Sequence, residues 1–157
     1  MCNEDTTGFT FEVFASGPKE FAVPDLEVAR NGSAYDKSEL ARHEDLDREV
    51  FLILAENTDI NINYSLAWNH TTPADILDRI AASQPELRPY ASTNPHASEE
   101  LKKTAPLAEH GSSSIEAFLK QVHATDAEAR ALVKRYNKLV PPGGPFFGDV
   151  WAEIRPE

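Results

Sequence analysis

Two stretches of this chain, ELARHEDLDREVFLILAEN (39–57) and SLAWNHTTPADILDRIAAS (65–83), superpose with a shift of 26 residues. Leu40-Ala41 falls on Leu66-Ala67, Val50-Phe51 on Ile76-Leu77, and Leu54-Ala55 on Ile80-Ala81; the apolar columns match while the polar ones drift. A third copy, LRPYASTNPHASEELKKTA, follows with a shift of 25, placing Leu87 under Ile62, Asn94 under Asn69 and Leu101 under Ile76. LEVARN (26–31) is a partial earlier copy. A fixed period in this range signals stacked supersecondary units, each too small to bury its apolar face alone.

Local chemistry predicts the unit. In the central copy Thr72 is placed to cap a helix, Pro73 suits its first position, and Asp75 completes a Thr-x-x-Asp pattern. Ile76, Leu77, Ile80 and Ala81 then share one helical face. A helix of about ten residues is marginal in isolation, so it must pack on the preceding segment INYSLAWN and on its neighbours. Small residues Ala41, Ala67 and Ala91 permit close approach, and Asn57, Asn69 and Asn94 are expected to end helices because Asn tolerates the left-handed conformation.

With the phrase LAWNHTTPADILDRIAAS as its clearest copy, the segment 38–107 resembles the leucine-rich repeat variant family, a bacterial group of short helical repeats. The resemblance implies a right-handed superhelix of short helical segments, some near 3-10 geometry, related to HEAT-like solenoids. The first copy has Asp47 where the family favours Pro, and the third lacks the paired Thr-Pro. The founding type of that family carries an iron–sulfur cluster on a cysteine-rich segment. The one cysteine here is Cys2, so no cluster or other cofactor is expected.

The flanks follow from the same rules. Ser113-x-x-Glu116 and Thr125-x-x-Glu128 are capping-box patterns. Ala117, Phe118, Val122, Leu132, Val133, Tyr136 and Leu139 supply apolar faces, and PPGGP (141–145) stops the second helix. LAEHGSSSIEAFL echoes the repeat with His110 in the Asn column, as a degenerate terminal copy. FTFEVF near the start and FFGDVWAEI near the end read as strands, which could pair with each other, lie as arms, or join two copies as a homodimer. Trp151 is expected in the core. The expected fold class is all-α: a short right-handed α-solenoid with strand-like terminal arms. Its 157 residues form a single domain, divided into an N-terminal arm (1–25), repeats (26–110), capping helices (111–140) and a C-terminal arm (141–157).

Charge narrows the function. The net charge is −11, and residues 1–60 hold 14 acidic against 5 basic side chains while 61–157 hold 12 against 10. Such a field attracts basic partners and repels phosphate backbones. The local basic run RALVKRYNK, with Arg130, Lys134, Arg135 and Lys138, is short for a nucleic-acid stripe, so nucleic-acid binding ranks low. No apolar run approaches the ~18 residues of a membrane span. The acidic start lacks the basic-then-apolar order of a signal peptide, and the cytoplasm is the expected compartment.

His43, His70, His96 and His110 recur near successive turns, yet units ~8–10 Å apart do not converge on one metal ion, so polar turn roles are expected. The carboxylate pairs Asp75/Asp78 and Glu99/Glu100 read as capping and solvated groups rather than an acid–base pair. No phosphate loop, nucleophile turn or metal helix occurs, leaving no catalytic residue to name. Trp68 stands in the variable column of Leu-Ala-x-Asn, where the other copies have Arg42 and Thr93, and that column is expected to face water, the alternative being that the ring finds cover by folding onto the neighbouring repeat. An exposed Trp is an interface anchor. The expectation is a protein-binding module, of an acidic inhibitor or immunity type that blocks a basic protein, with Glu44, Asp45, Asp47, Trp68, His70 and Asp78 as its contact surface. The alternatives are an enzyme on a repeat scaffold and a structural dimer joined through terminal strands.

Overall fold

The computed structural model describes residues 24–157, and these form ten α-helices, two 3-10 turns and no strand. The helices are α1 (Asp25–Asn31), α2 (Ala34–Leu40), α3 (Arg48–Ala55), α4 (Ile60–Trp68), α5 (Ala74–Ser83), α6 (Arg88–Thr93), α7 (Glu99–Lys103), α8 (Ser112–Gln121), α9 (Asp126–Tyr136) and α10 (Phe147–Ile154). The 3-10 turns, Pro85–Leu87 and Leu107–Glu109, precede α6 and α8. None of the helices exceeds 11 residues, below the ~12–15 that an isolated helix needs, so tertiary packing holds them. No described helix is long and apolar enough to cross a membrane.

Packing follows the sequence period. Helix α1 packs on α3 and α3 on α5; α2 packs on α4 and α4 on α6. Alternate helices thus form two rows, joined to each other by α1–α2, α3–α4 and α5–α6 contacts. The repeat columns become a shared core: Leu40, Ala41, Val50, Phe51, Leu54, Leu66, Ile76 and Ile80 lie in one buried cluster. Ala67, Leu77, Ala81, Ala91, Ala97 and Leu101 form a separate buried cluster that reaches α7. Burial of the small Ala67 and Ala91 is what lets the rows approach.

A third cluster is built by the C-terminal third, where Leu107, Ile115, Phe118, Leu132, Phe147, Val150 and Trp151 pack together. Here the structure corrects the expected C-terminal strand: FFGDVWAEI contains helix α10. Phe147, Val150, Trp151 and Ile154 are spaced i, i+3, i+4 and i+7, and that helical stripe meets Phe118 with ring centroids 4.3 and 5.1 Å away. The segment is led in by two backbone bonds, Leu107 N–H to Pro145 O and Phe147 N–H to Ala105 O. Gly148 lies so close to α7 that a Cβ there would stand 3.2 Å from Lys103. The apolar stripe of the C-terminal segment, Phe147, Val150 and Trp151, is thereby packed into its own chain as part of a helix. The expected N-terminal strand lies outside the described residues.

The caps also differ in part. Thr125 and Glu128 form the expected reciprocal box. The Ser113 box does not form, because α8 starts two residues earlier, at Ser112 behind Gly111. Pro73, not Thr72, precedes α5, and the buried Thr72 hydroxyl donates back to Leu66 O at 2.7 Å. Asp75 is paired with Arg48 instead of capping.

Candidate protein-binding surface

The turns that follow α2, α4 and α6 share one edge of the stack because the Asn column ties them together. Asn69 is buried, and its Nδ2 donates to Ala41 O and His43 O at 2.9 and 2.7 Å, one unit earlier. Its Oδ1 accepts from Thr71 N–H and Oγ1–H. Asn94 repeats the arrangement on Ala67 O and Asn69 O, and accepts from His96 N–H. Neither Asn is left-handed, with φ of −70° and −64°, so the column is a hydrogen-bonded ladder between units rather than a set of left-handed caps. Asn57 bonds only within its own helix end as a donor, to Ile53 O and Leu54 O. The left-handed backbone occurs instead at Asp45 and His123.

The row of α2, α4 and α6 presents aromatic rings to water. Trp68 is 55% exposed, and Tyr64 and Tyr90 are each 39% exposed. Their centroids are 6.2 Å (Tyr64–Trp68), 5.0 Å (Tyr64–Tyr90) and 6.0 Å (Trp68–Tyr90) apart, so the three rings form one continuous platform across α4 and α6. Helix α4, ININYSLAW, has no charged side chain. Between Trp68 and Tyr90 is a cleft of about 40 Å³, bordered by His70, Thr93 and Asn94. The row of α1, α3 and α5 is different in kind. Its outer face carries the cross-helix pairs Arg30–Glu49 and Arg48–Asp75, both exposed.

All six residues expected at the contact surface are exposed. Trp68 and His70 come together at the cleft. Glu44, Asp45 and Asp47 stand in the α2–α3 turn, one unit earlier on the same edge. Asp78 is on α5, where it accepts a 2.8 Å bond from Ser98 Oγ. Sequence reasoning missed Tyr64 and Tyr90. The signal was present: Tyr64 is four residues before Trp68 on its helix, and Tyr90 is about one turn before the variable column of the next unit.

The strongly perturbed buried groups lie elsewhere, where α7 meets the C-terminal cluster. Lys102 is wholly buried, and its three ammonium protons go to Pro95 O, Ala97 O and Gln121 Oε1 at 2.7–3.0 Å. Burial lowers its pKa to about 8. His110 is buried too, unlike the exposed His43, His70 and His96, with Nε2 3.1 Å from Lys102 O and Nδ1 2.9 Å from Ser114 Oγ. Burial, reinforced by the Lys102 charge, lowers its pKa to about 4. Both sites are fully hydrogen-bonded inside the protein and closed to solvent, which makes them structural. Among the described residues no group of three or more His, Cys, Asp or Glu side chains is placed to hold a metal ion. A single thiol, Cys2, is also too few donors for an iron–sulfur cluster.

Stacked short helices with a bonded turn edge define a helical-repeat architecture, and an aromatic platform lies open on one of its rows. Residues 63–123 match the family model of the Leucine Rich Repeat Variant domain, so this stretch of the chain is similar to that domain. The match runs from α4 through α8 and takes in the turn with His110, while the first copy, with Asp47 in place of Pro, lies outside it. Among curated proteins and among solved structures, none matches the chain significantly.

Proposed function

We propose that the protein binds another protein through the aromatic platform centred on Trp68, on a stack of helical repeats that winds as a right-handed solenoid. Residues 26–110 are the binding stack and 111–140 its cap. The observation that carries this reading is the exposure of three contacting aromatic rings, Tyr64 and Trp68 on the uncharged helix α4 and Tyr90 on α6. Three rings left open to water lose the stabilisation their burial would bring, and such patches mark interaction sites.

Charge gives the partner its sign. Residues 24–100 hold 15 acidic and 6 basic side chains, whereas 101–157 hold 7 and 8. The stack that bears the platform is therefore the acidic part, and it steers a basic protein to Trp68. A small acidic binder of this kind acts as an inhibitor or immunity-type protein by covering the partner's basic surface, with His70 beside the anchor, Glu44, Asp45 and Asp47 one unit away on the same edge, and Asp78 adding charge from α5.

Affinity capture with the wild-type chain and with Trp68→Ala as baits, at low and at high salt, tests the reading. The expected result is a partner of basic isoelectric point retained by the wild type at low salt and lost with either change. An acidic partner, or one held equally by Trp68→Ala, would overturn it.

A further inference from the structure

We infer that the platform recognises an arginine guanidinium, stacked on the open face of Trp68, within an extended basic segment of the partner. This rests on the protein-binding reading above and adds the chemistry of the contact. Ring geometry excludes two other modes. Centroids 5.0–6.2 Å apart leave no space for a cation between rings, since a group in van der Waals contact with both walls needs roughly 7–8 Å. The cleft beside Trp68, at about 40 Å³, has room for little more than a water, not for the side chain of a docked Leu or Phe. What remains is a flat group on a flat face.

A guanidinium meets that description and the charge. It stacks on Trp through its plane and keeps its in-plane N–H groups free for acceptors, which a compact, strongly hydrated ammonium does less well. The surrounding stack has the negative field that draws a cation to a neutral platform, and three of its six basic side chains, Arg30, Arg42 and Arg48, are already paired with carboxylates. The chain makes a contact of the same kind internally, with the Arg155 guanidinium 4.9 Å from the Trp151 ring centroid. Spacing adds a register. Neighbouring units are ~8–10 Å apart and an extended peptide advances ~3.3 Å per residue, so a second basic residue three positions from the stacked arginine reaches the Asp45–Asp47 turn.

Two synthetic peptides test this, a Gly/Ser chain with two arginines three positions apart and the same chain with two lysines, each titrated by calorimetry at low salt. The wild type should bind the arginine peptide about two- to fivefold more tightly than the lysine peptide. Trp68→Ala should abolish that preference, Trp68→Phe should restore part of it, and reversing Asp45 and Asp47 to Lys should weaken both peptides alike. Equal binding of the two peptides by the wild type, or a preference that survives Trp68→Ala, would overturn the guanidinium assignment while leaving a basic partner standing. Binding of neither peptide would overturn both readings.

Discussion

At the scale of single residues, the stack depends on buried polar groups that have no spare partners. Asn69→Ala would leave Ala41 O, His43 O and Thr71 N–H without their side-chain partner, and should destabilise the protein by about 2–4 kcal/mol in urea unfolding. Lys102→Met keeps the volume but strands Pro95 O and Gln121 Oε1, since Ala97 O retains its bond from Gln121 Nε2; a loss of about 2–3 kcal/mol is expected in the same measurement. His110 makes stability depend on pH. Its folded pKa, about 4, lies below the ordinary 6.5, so between those values the unfolded chain binds a proton that the folded one refuses. Stability should therefore fall as pH drops from about 6.5 toward 4, by on the order of 1–3 kcal/mol, and His110→Gln should flatten that slope. Lys102 has the same sign in a higher window, its contribution rising between about 8 and 10.5. The Asn column was visible as a recurrence in the sequence, but its reach to the preceding unit was not, because a cap and a ladder ask for the same residue.

At the scale of elements, helix α10 closes the C-terminal cluster. Trp151 is buried against Phe118, and Trp151→Ala should cost about 3–5 kcal/mol and expose the Phe118–Phe147 contact, read as a lowered unfolding midpoint and loss of near-UV aromatic signal. Arg155, at the end of this helix, holds Glu128 at 2.7 Å and keeps its carboxyl near pKa 2, which ties α10 to the start of α9. The expected strand was a misreading of period. The aromatic and β-branched residues of FFGDVWAEI suit a strand, yet Phe147, Val150, Trp151 and Ile154 carry the helical spacing. Val133 was assigned to an apolar face and is instead 41% exposed, because α9 buries Leu132 toward the cluster and turns Val133 outward.

At the scale of the whole molecule, charge is partitioned along the chain, acidic over the repeats and nearly balanced over the C-terminal part. Association with a basic partner should slow by about tenfold or more between 50 and 500 mM salt in stopped-flow measurements, while dissociation changes less. The helical class, the period and the identity of the buried columns were legible in the letters. Amphipathic spacing is a local code, and apolar residues 25 or 26 apart that recur together must pack together. Although a fold of the ring onto the neighbouring repeat stayed open, the water-facing character of the Trp68 column was also readable. The platform was not, because Tyr64 and Tyr90 meet Trp68 only after α6 stacks on α4. Which polar groups bond between units, and which helix seals the C-terminal core, were likewise decided by tertiary contact, since distance in space between units is not encoded in any one segment.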